Sequence, residues 1–137
     1  MAAVIYRNPE NVHQPVAGYT HQIEVREPAR WLVLSGQIGM RPDGSVPADP
    51  VEQIEVALEN LRRNLDAAGM GVRDVVKLTF LLVGENEEGE PARRRAAFDS
   101  WLGDHKPAMT LLYVSRLASP ALRVEIDAWA CQDNGDS

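Results

Sequence analysis

The chain has 137 residues, 45% hydrophobic and 25% charged, which predicts one soluble globular domain over residues 1–137 that buries about two-thirds of the surface its unfolded form exposes. A net charge of -6, from 20 acidic and 14 basic residues, repels phosphate backbones on average and disfavours nucleic acid as a partner. The lone Cys131 excludes an internal disulfide or a C-x-x-C metal pair, no apolar run reaches the ~18 residues that span a bilayer, and Met1 to Arg7 lack the order of a signal peptide, so the cytoplasm is expected.

In chain order, strands are predicted at Val4 to Arg7, His21 to Val25 and Trp31 to Gln37. A helix follows from Pro50 to Ala68. Asp49 stands at its capping position, Pro50 suits the first turn, Glu52 completes a capping-box spacing, and Gly69 supplies a left-handed stop. Ile54, Ala57, Leu58, Leu61, Leu65 and Ala68 recur at three- and four-residue intervals, so one helical face must pack on something. Val75 to Val83 reads as a strand, Gly84 to Gly89 as a mobile loop rich in Glu and Gly, and Pro91 to Leu102 as a second helix stopped by Gly103 and Pro107.

Two strands close the chain, Met109 to Ser115 and Leu122 to Cys131. In the last one Leu122, Val124, Ile126, Ala128 and Ala130 alternate with Arg123, Glu125, Asp127, Trp129 and Cys131, the period of a half-buried strand whose odd positions face away from the helices. The Met109 strand is apolar on both faces. This element order predicts an α+β sandwich, a mixed, mostly antiparallel sheet with two helices on one face. The apolar second face then implies burial against other subunits.

Few residues carry recognisable chemistry by themselves. His13, His21 and His105 are isolated in sequence and show no metal-ligand spacing, and no glycine-rich phosphate loop follows a strand, so neither metal nor nucleotide cofactor is expected. Arg93-Arg94-Arg95 is the one basic cluster, preceded by Glu85, Glu87, Glu88 and Glu90. Glu125 and Asp127 read equally as solvent-facing charges of an alternating strand, Gly36 as a turn or bulge, and Tyr19 as an ordinary half-buried aromatic.

Three segments change that balance: Leu34-Ser35-Gly36-Gln37-Ile38, Lys106-Pro107-Ala108-Met109-Thr110 and Val124-Glu125-Ile126-Asp127-Ala128. With Gly18-Tyr19, Leu58-Glu59-Asn60-Leu61, Ala68-Gly69, Asp74-Val75-Val76-Lys77-Leu78-Thr79 and Arg116-Leu117, they resemble the reactive-intermediate deaminase superfamily, also known as RidA or YjgF and as endoribonuclease L-PSP, from about Gly18 to Ala130. The resemblance implies a chorismate-mutase-like protomer, a cofactor-free homotrimer, and small-molecule clefts between protomers. It also implies that Glu125 orients or activates the water that attacks an imine carbon, a task for a partly desolvated carboxylate. Tyr19 and Ser35, Gly36 and Gln37 would line the ligand.

One departure weighs against the usual chemistry. Deaminating members follow the Pro-Ala pair with an arginine that holds the substrate carboxylate, and here Met109 stands in its place, offering no donor. Leu111 stands where such members often carry a small or polar residue. Arg95 aligns loosely with an asparagine near the ligand and could supply a cation from another direction, or could be a solvated residue of a basic turn. The sequence therefore points to a divergent member that binds, and possibly hydrolyses, an imine or enamine without the usual carboxylate, with a non-catalytic ligand-binding or regulatory trimer as the rival and a ribonuclease third.

Overall fold

The structure, a computed structural model, describes residues 4–26, 29–84 and 89–133. Strands β1 (Val4–Arg7) and β2 (Gln22–Val25) form a separate antiparallel ribbon. β3 (Ala29–Ile38) leads into α1 (Pro50–Ala67), a short 3-10 turn (Val72–Asp74), β4 (Val75–Val83), α2 (Glu90–Leu102), β5 (Ala108–Val114) and β6 (Val124–Asp133). The main sheet runs β3-β6-β4-β5, antiparallel except for the β4–β5 pair, which is parallel and is joined by α2 as the crossover. This is the expected α+β sandwich. The loop expected at Gly84 to Gly89 falls largely on residues 85–88, outside the described residues.

The apolar stripe of α1 does what its spacing predicts: Ala57, Leu61 and Leu65 are completely buried. They pack with Leu78, Val124, Ile126 and Ala128 from the central strands. The helix ends on Gly69 at φ +71, with Gly69 N–H donating to Asp66 O (2.9 Å) and Met70 N–H to Leu65 O (2.9 Å). A left-handed glycine lets both orphan carbonyls be satisfied while Met70 folds back onto Leu65. The start differs from the capping reading. Asp49 makes no side-chain capping bond and turns instead to Arg93 of α2, while Glu52 pairs with Arg41 at 3.0 Å. An ion pair to a second element displaces a local cap here, and hydrogen bonding to Arg93 holds the Asp49 carboxyl below its ordinary pKa.

Gln53 is the one buried polar residue of α1 and was not anticipated. Its Nε2 donates to Pro47 O and Ala121 O, both at 2.9 Å, and its Oε1 accepts from Arg123 N at 2.8 Å. The amide thereby ties the helix to the turn that feeds β6. Gln53→Ala would leave the Arg123 amide and two carbonyls without these partners, and is expected to destabilise the fold by about 2–3 kcal/mol. Urea unfolding would show this as a lower midpoint at unchanged slope. A shift under about 1 kcal/mol would mean that water takes over the amide's role.

The sheet face away from the helices is open and carries a group of large apolar side chains among polar ones. Trp31, Val33, Leu112 and Trp129 are 47% to 59% exposed there, and the Trp31 and Trp129 rings meet edge to face at 6.0 Å. One end of this face lies beside the β1–β2 ribbon, where Ile23 and Val25 approach Trp31 and Trp129. Tyr6 of β1 packs edge-on against His105 (5.9 Å), and the ring nitrogen Nε2 of His105 donates to Val75 O at 2.7 Å. Cys131, at an odd position of β6, is buried beside them. Burial first, then the charges of Asp133 and Asp74, push its thiol pKa up.

Candidate functional site

A cavity of about 600 Å³ lies between α2 and the edge strand β5. The segment before β2 forms its far wall because Thr20 is anchored twice to the start of β5, through its amide to Pro107 O (3.0 Å) and through its hydroxyl to Lys106 O. That anchor brings Tyr19 to the cavity alongside Met109 and Leu111, two of the odd residues of β5 on the helix side. From α2 come Arg94, Arg95 and Phe98. Phe98 packs at 4.3 Å, its ring tilted by 49°, on Phe80 of β4, which closes the floor.

The two arginines differ. Arg95 is a surface residue whose guanidinium lies 3.8 Å from Asp99, with both side chains about 70% exposed (70% and 68%). Arg94 is largely covered, 3.8 Å from Glu90 and 6.0 Å from the centroid of the Tyr113 ring, a cation–π arrangement. Sequence reading singled out Arg95 and missed Arg94. The usable signal was Glu90 four residues earlier on the same helix face. Arg93 is also occupied, by Asp49, so the run of three arginines does not present a bare basic patch.

Glu125, Ser35, Gly36 and Gln37 assemble elsewhere. Between Leu34 and Gln37 the register of β3 against β6 slips, so Ser35 and Gly36 form a bulge. A Cβ on Gly36 would lie only 2.7 Å from Cγ and Cδ of Glu125. The missing side chain is what lets the Glu125 carboxylate lie against the β3 backbone. Gln37 Nε2 donates to Ser35 O at 3.1 Å and holds the bulge from the side. Among the described residues none forms a hydrogen bond or ion pair with the Glu125 carboxylate. It is half-buried and faces the open side of the sheet.

The predicted residues therefore fall into two groups. Tyr19, Arg95, Met109 and Leu111 share the cavity; Ser35, Gly36, Gln37 and Glu125 share the bulge. β6 and β3 lie two and three strands from β5, which at the usual spacing is ~10 and ~14 Å, and Glu125 points to the opposite face from Met109. One small molecule cannot touch both groups in one protomer.

His13 and His21, read as isolated, prove to be neighbours. Their rings meet edge to face at 4.9 Å, and His21 meets Tyr19 at 5.3 Å. The turn between them brings together what eight residues of sequence separate. His21 Nε2 donates to His13 O (2.7 Å) and His13 Nδ1 to Gln14 O (2.8 Å), so the pair buttresses Tyr19 from behind. Among the described residues no group of three or more His, Cys, Asp or Glu side chains could hold a metal ion, and no helix is long and apolar enough to cross a membrane.

Comparison with known proteins gives a consistent result. The family model described as endoribonuclease L-PSP matches residues 10–132. A RutC family protein of Pyrococcus horikoshii is 32% identical over 126 residues, covering 90% of this chain and 94% of its own. The 2-iminobutanoate/2-iminopropanoate deaminase of Escherichia coli is 30% identical over 125 residues, covering 88% and 92%. Among solved structures, the Rid-family protein YyfB of Yersinia pestis superposes with a TM-score of 0.82 at 28% identity, over 95% of this chain and 99% of that one. Escherichia coli TdcF with bound serine gives 0.67 at 27% identity, over 80% and 85%.

Proposed function

The chain belongs to the endoribonuclease L-PSP family, the RidA/YjgF superfamily, and from that premise we propose that it binds and hydrolyses a small imine or enamine metabolite other than the usual amino-acid-derived imines. The observation that carries this reading is the Glu125 carboxylate, laid against a glycine bulge with no hydrogen-bond or ion-pair partner among the described residues. A carboxylate so held is suited to take a proton from water. The water oxygen bonds to the imine carbon, the proton passes to nitrogen, the C–N bond breaks, and ammonia leaves behind a carbonyl compound. No cofactor is required.

The ligand lies, on this reading, in a cleft completed by two protomers of a homotrimer. One contributes the bulge and Glu125; the other contributes Tyr19, Arg95, Met109 and Leu111. Two observations support it: the two groups lie too far apart within a protomer, and the open sheet face exposes Trp31, Val33, Leu112 and Trp129 together. The comparison deaminase takes, by its name, 2-imino acids, whose carboxylate adjoins the C=N carbon. Met109 offers such a carboxylate nothing. Losing one partner of a buried charge pair costs ~3–5 kcal/mol, or roughly two to four orders of magnitude in affinity.

Met109→Arg tests this directly. The variant is expected to gain about tenfold to hundredfold in ammonia release from 2-iminopropanoate, short of full recovery because Leu111 still narrows the cleft and a shift of ~1 Å can cost ~100-fold. Adding Glu125→Ala should remove the gain. A folded single variant no faster than wild type would mean that the cleft differs by more than this residue. Met109 also favours a second reading, a non-catalytic ligand-binding trimer, which predicts saturable binding without ammonia release from any imine. The ribonuclease activity in the family's name is disfavoured by the net charge of -6 and by the acid partners of Arg93, Arg94 and Arg95.

A further inference from the structure

We infer that the natural ligand is a neutral imine carrying an aromatic ring or a group of similar bulk, with no carboxylate on the C=N carbon; this rests on the hydrolase reading above and specifies its substrate class. Volume is the first argument. One protomer's share of the cleft is already about 600 Å³, in the middle of the range that holds ligands of drug size, and would take about 20 waters at ~30 Å³ each. An alanine-derived imino acid would displace a minority of them and leave an apolar hollow behind it. Such a fit wastes the recognition that the walls offer.

The walls supply the second argument. Tyr19, Phe98, Met109 and Leu111 converge on the space, over a floor made by Phe80. Flat rings and a thioether favour an aromatic guest, through offset or edge contacts and sulfur–ring contacts. Charge is the third. On the α2 wall Arg94 lies 3.8 Å from Glu90 and Arg95 3.8 Å from Asp99, each pair within one turn of the helix, so neither guanidinium faces the cavity without an acid beside it, and Met109 removes the cation from the β5 wall. A free carboxylate placed against Met109 on the β5 wall loses its hydration with no donor there to replace it. The reaction retains its balance: R–CH=NH and water give R–CHO and ammonia, with a C–O bond formed and the C–N bond broken.

The test uses the full-length protein and imines made in situ, by a flavin amine oxidase from 2-phenylethylamine and ethylamine, and by an amino acid oxidase from phenylalanine and alanine. Ammonia release is read above the spontaneous rate. Because one methylene in an apolar pocket changes discrimination by roughly 10- to 200-fold, the phenylethylamine-derived imine is expected to exceed the ethylamine-derived one at least tenfold in kcat/KM. It should exceed the phenylalanine-derived imino acid by a similar factor. Ala92→Phe, which adds a ring to the α2 wall, should lower the ratio of the two neutral imines at least tenfold. Preference for either imino acid, or equal rates for the two neutral imines, overturns the inference while leaving the hydrolase reading intact. If no imine is hydrolysed, the hydrolase reading fails, and calorimetry decides the ligand class. Binding of 2-phenylacetamide but not acetamide, lost in Ala92→Phe, supports it, and binding of neither overturns it.

Discussion

Glu125→Gln is expected to lower imine hydrolysis by about 100- to 10,000-fold, the range a positioned general base contributes, while leaving the fold as it is. Both halves follow from the surroundings of that side chain. The carboxylate makes no hydrogen bond or ion pair within the described protomer, so the amide isostere orphans no partner and the melting temperature should hold. The side chain lies against Gly36, so the loss falls on proton transfer. Measurement of kcat/KM beside a thermal melt separates the two effects. A drop of less than about threefold would take Glu125 out of the chemistry, and a large fall in melting temperature would make it structural. Gly36→Ala offers an independent check, since its Cβ must displace the carboxylate: activity should fall with Glu125 still present.

Wild-type protein should sediment near three times 15.1 kDa, and Trp129→Glu should shift it to a monomer with imine hydrolysis reduced more than about 100-fold. Trp129 lies on the open sheet face, beside Val33 and Lys77 in register and edge-on to Trp31. A carboxylate at that position is easily hydrated on a free surface and costly inside an apolar interface. The activity loss comes from separating Glu125 from the cavity of the neighbouring copy. A wild-type monomer at micromolar concentration would remove the composite cleft, and a trimeric Trp129→Glu variant would show that this face is not the contact.

What the sequence made legible divides along the same line. α1 and β6 could be read because each follows one rule over its length, the three-to-four spacing of Ile54, Leu58, Leu61 and Leu65 and the alternation from Val124 to Ala130. Both rules express a single buried face. The parallel partnership of β4 and β5 could not be read this way, because β5, exposed on both faces along much of its length, carries no such pattern. Contacts made by turning a side chain toward a distant element were equally hidden. Asp49 has the local chemistry of a helix cap and serves Arg93 instead; Gln53 looks like a surface residue of α1 and ties three segments together. Arg94 and Arg95 differ by one residue in sequence and by most of their exposure in space. The candidate site residues could be named through resemblance, but not their division between two groups, which depends on strand order.

The buried thiol beside the β1–β2 ribbon gives the protein an internal stopwatch. Cys131 is enclosed and its thiol pKa is pushed up, so a thiol reagent can reach it only when the structure around it opens. At low reagent concentration the labelling rate reports how often the open form is populated. At saturating reagent it becomes the opening rate itself, in a single-cysteine protein that needs no engineered label.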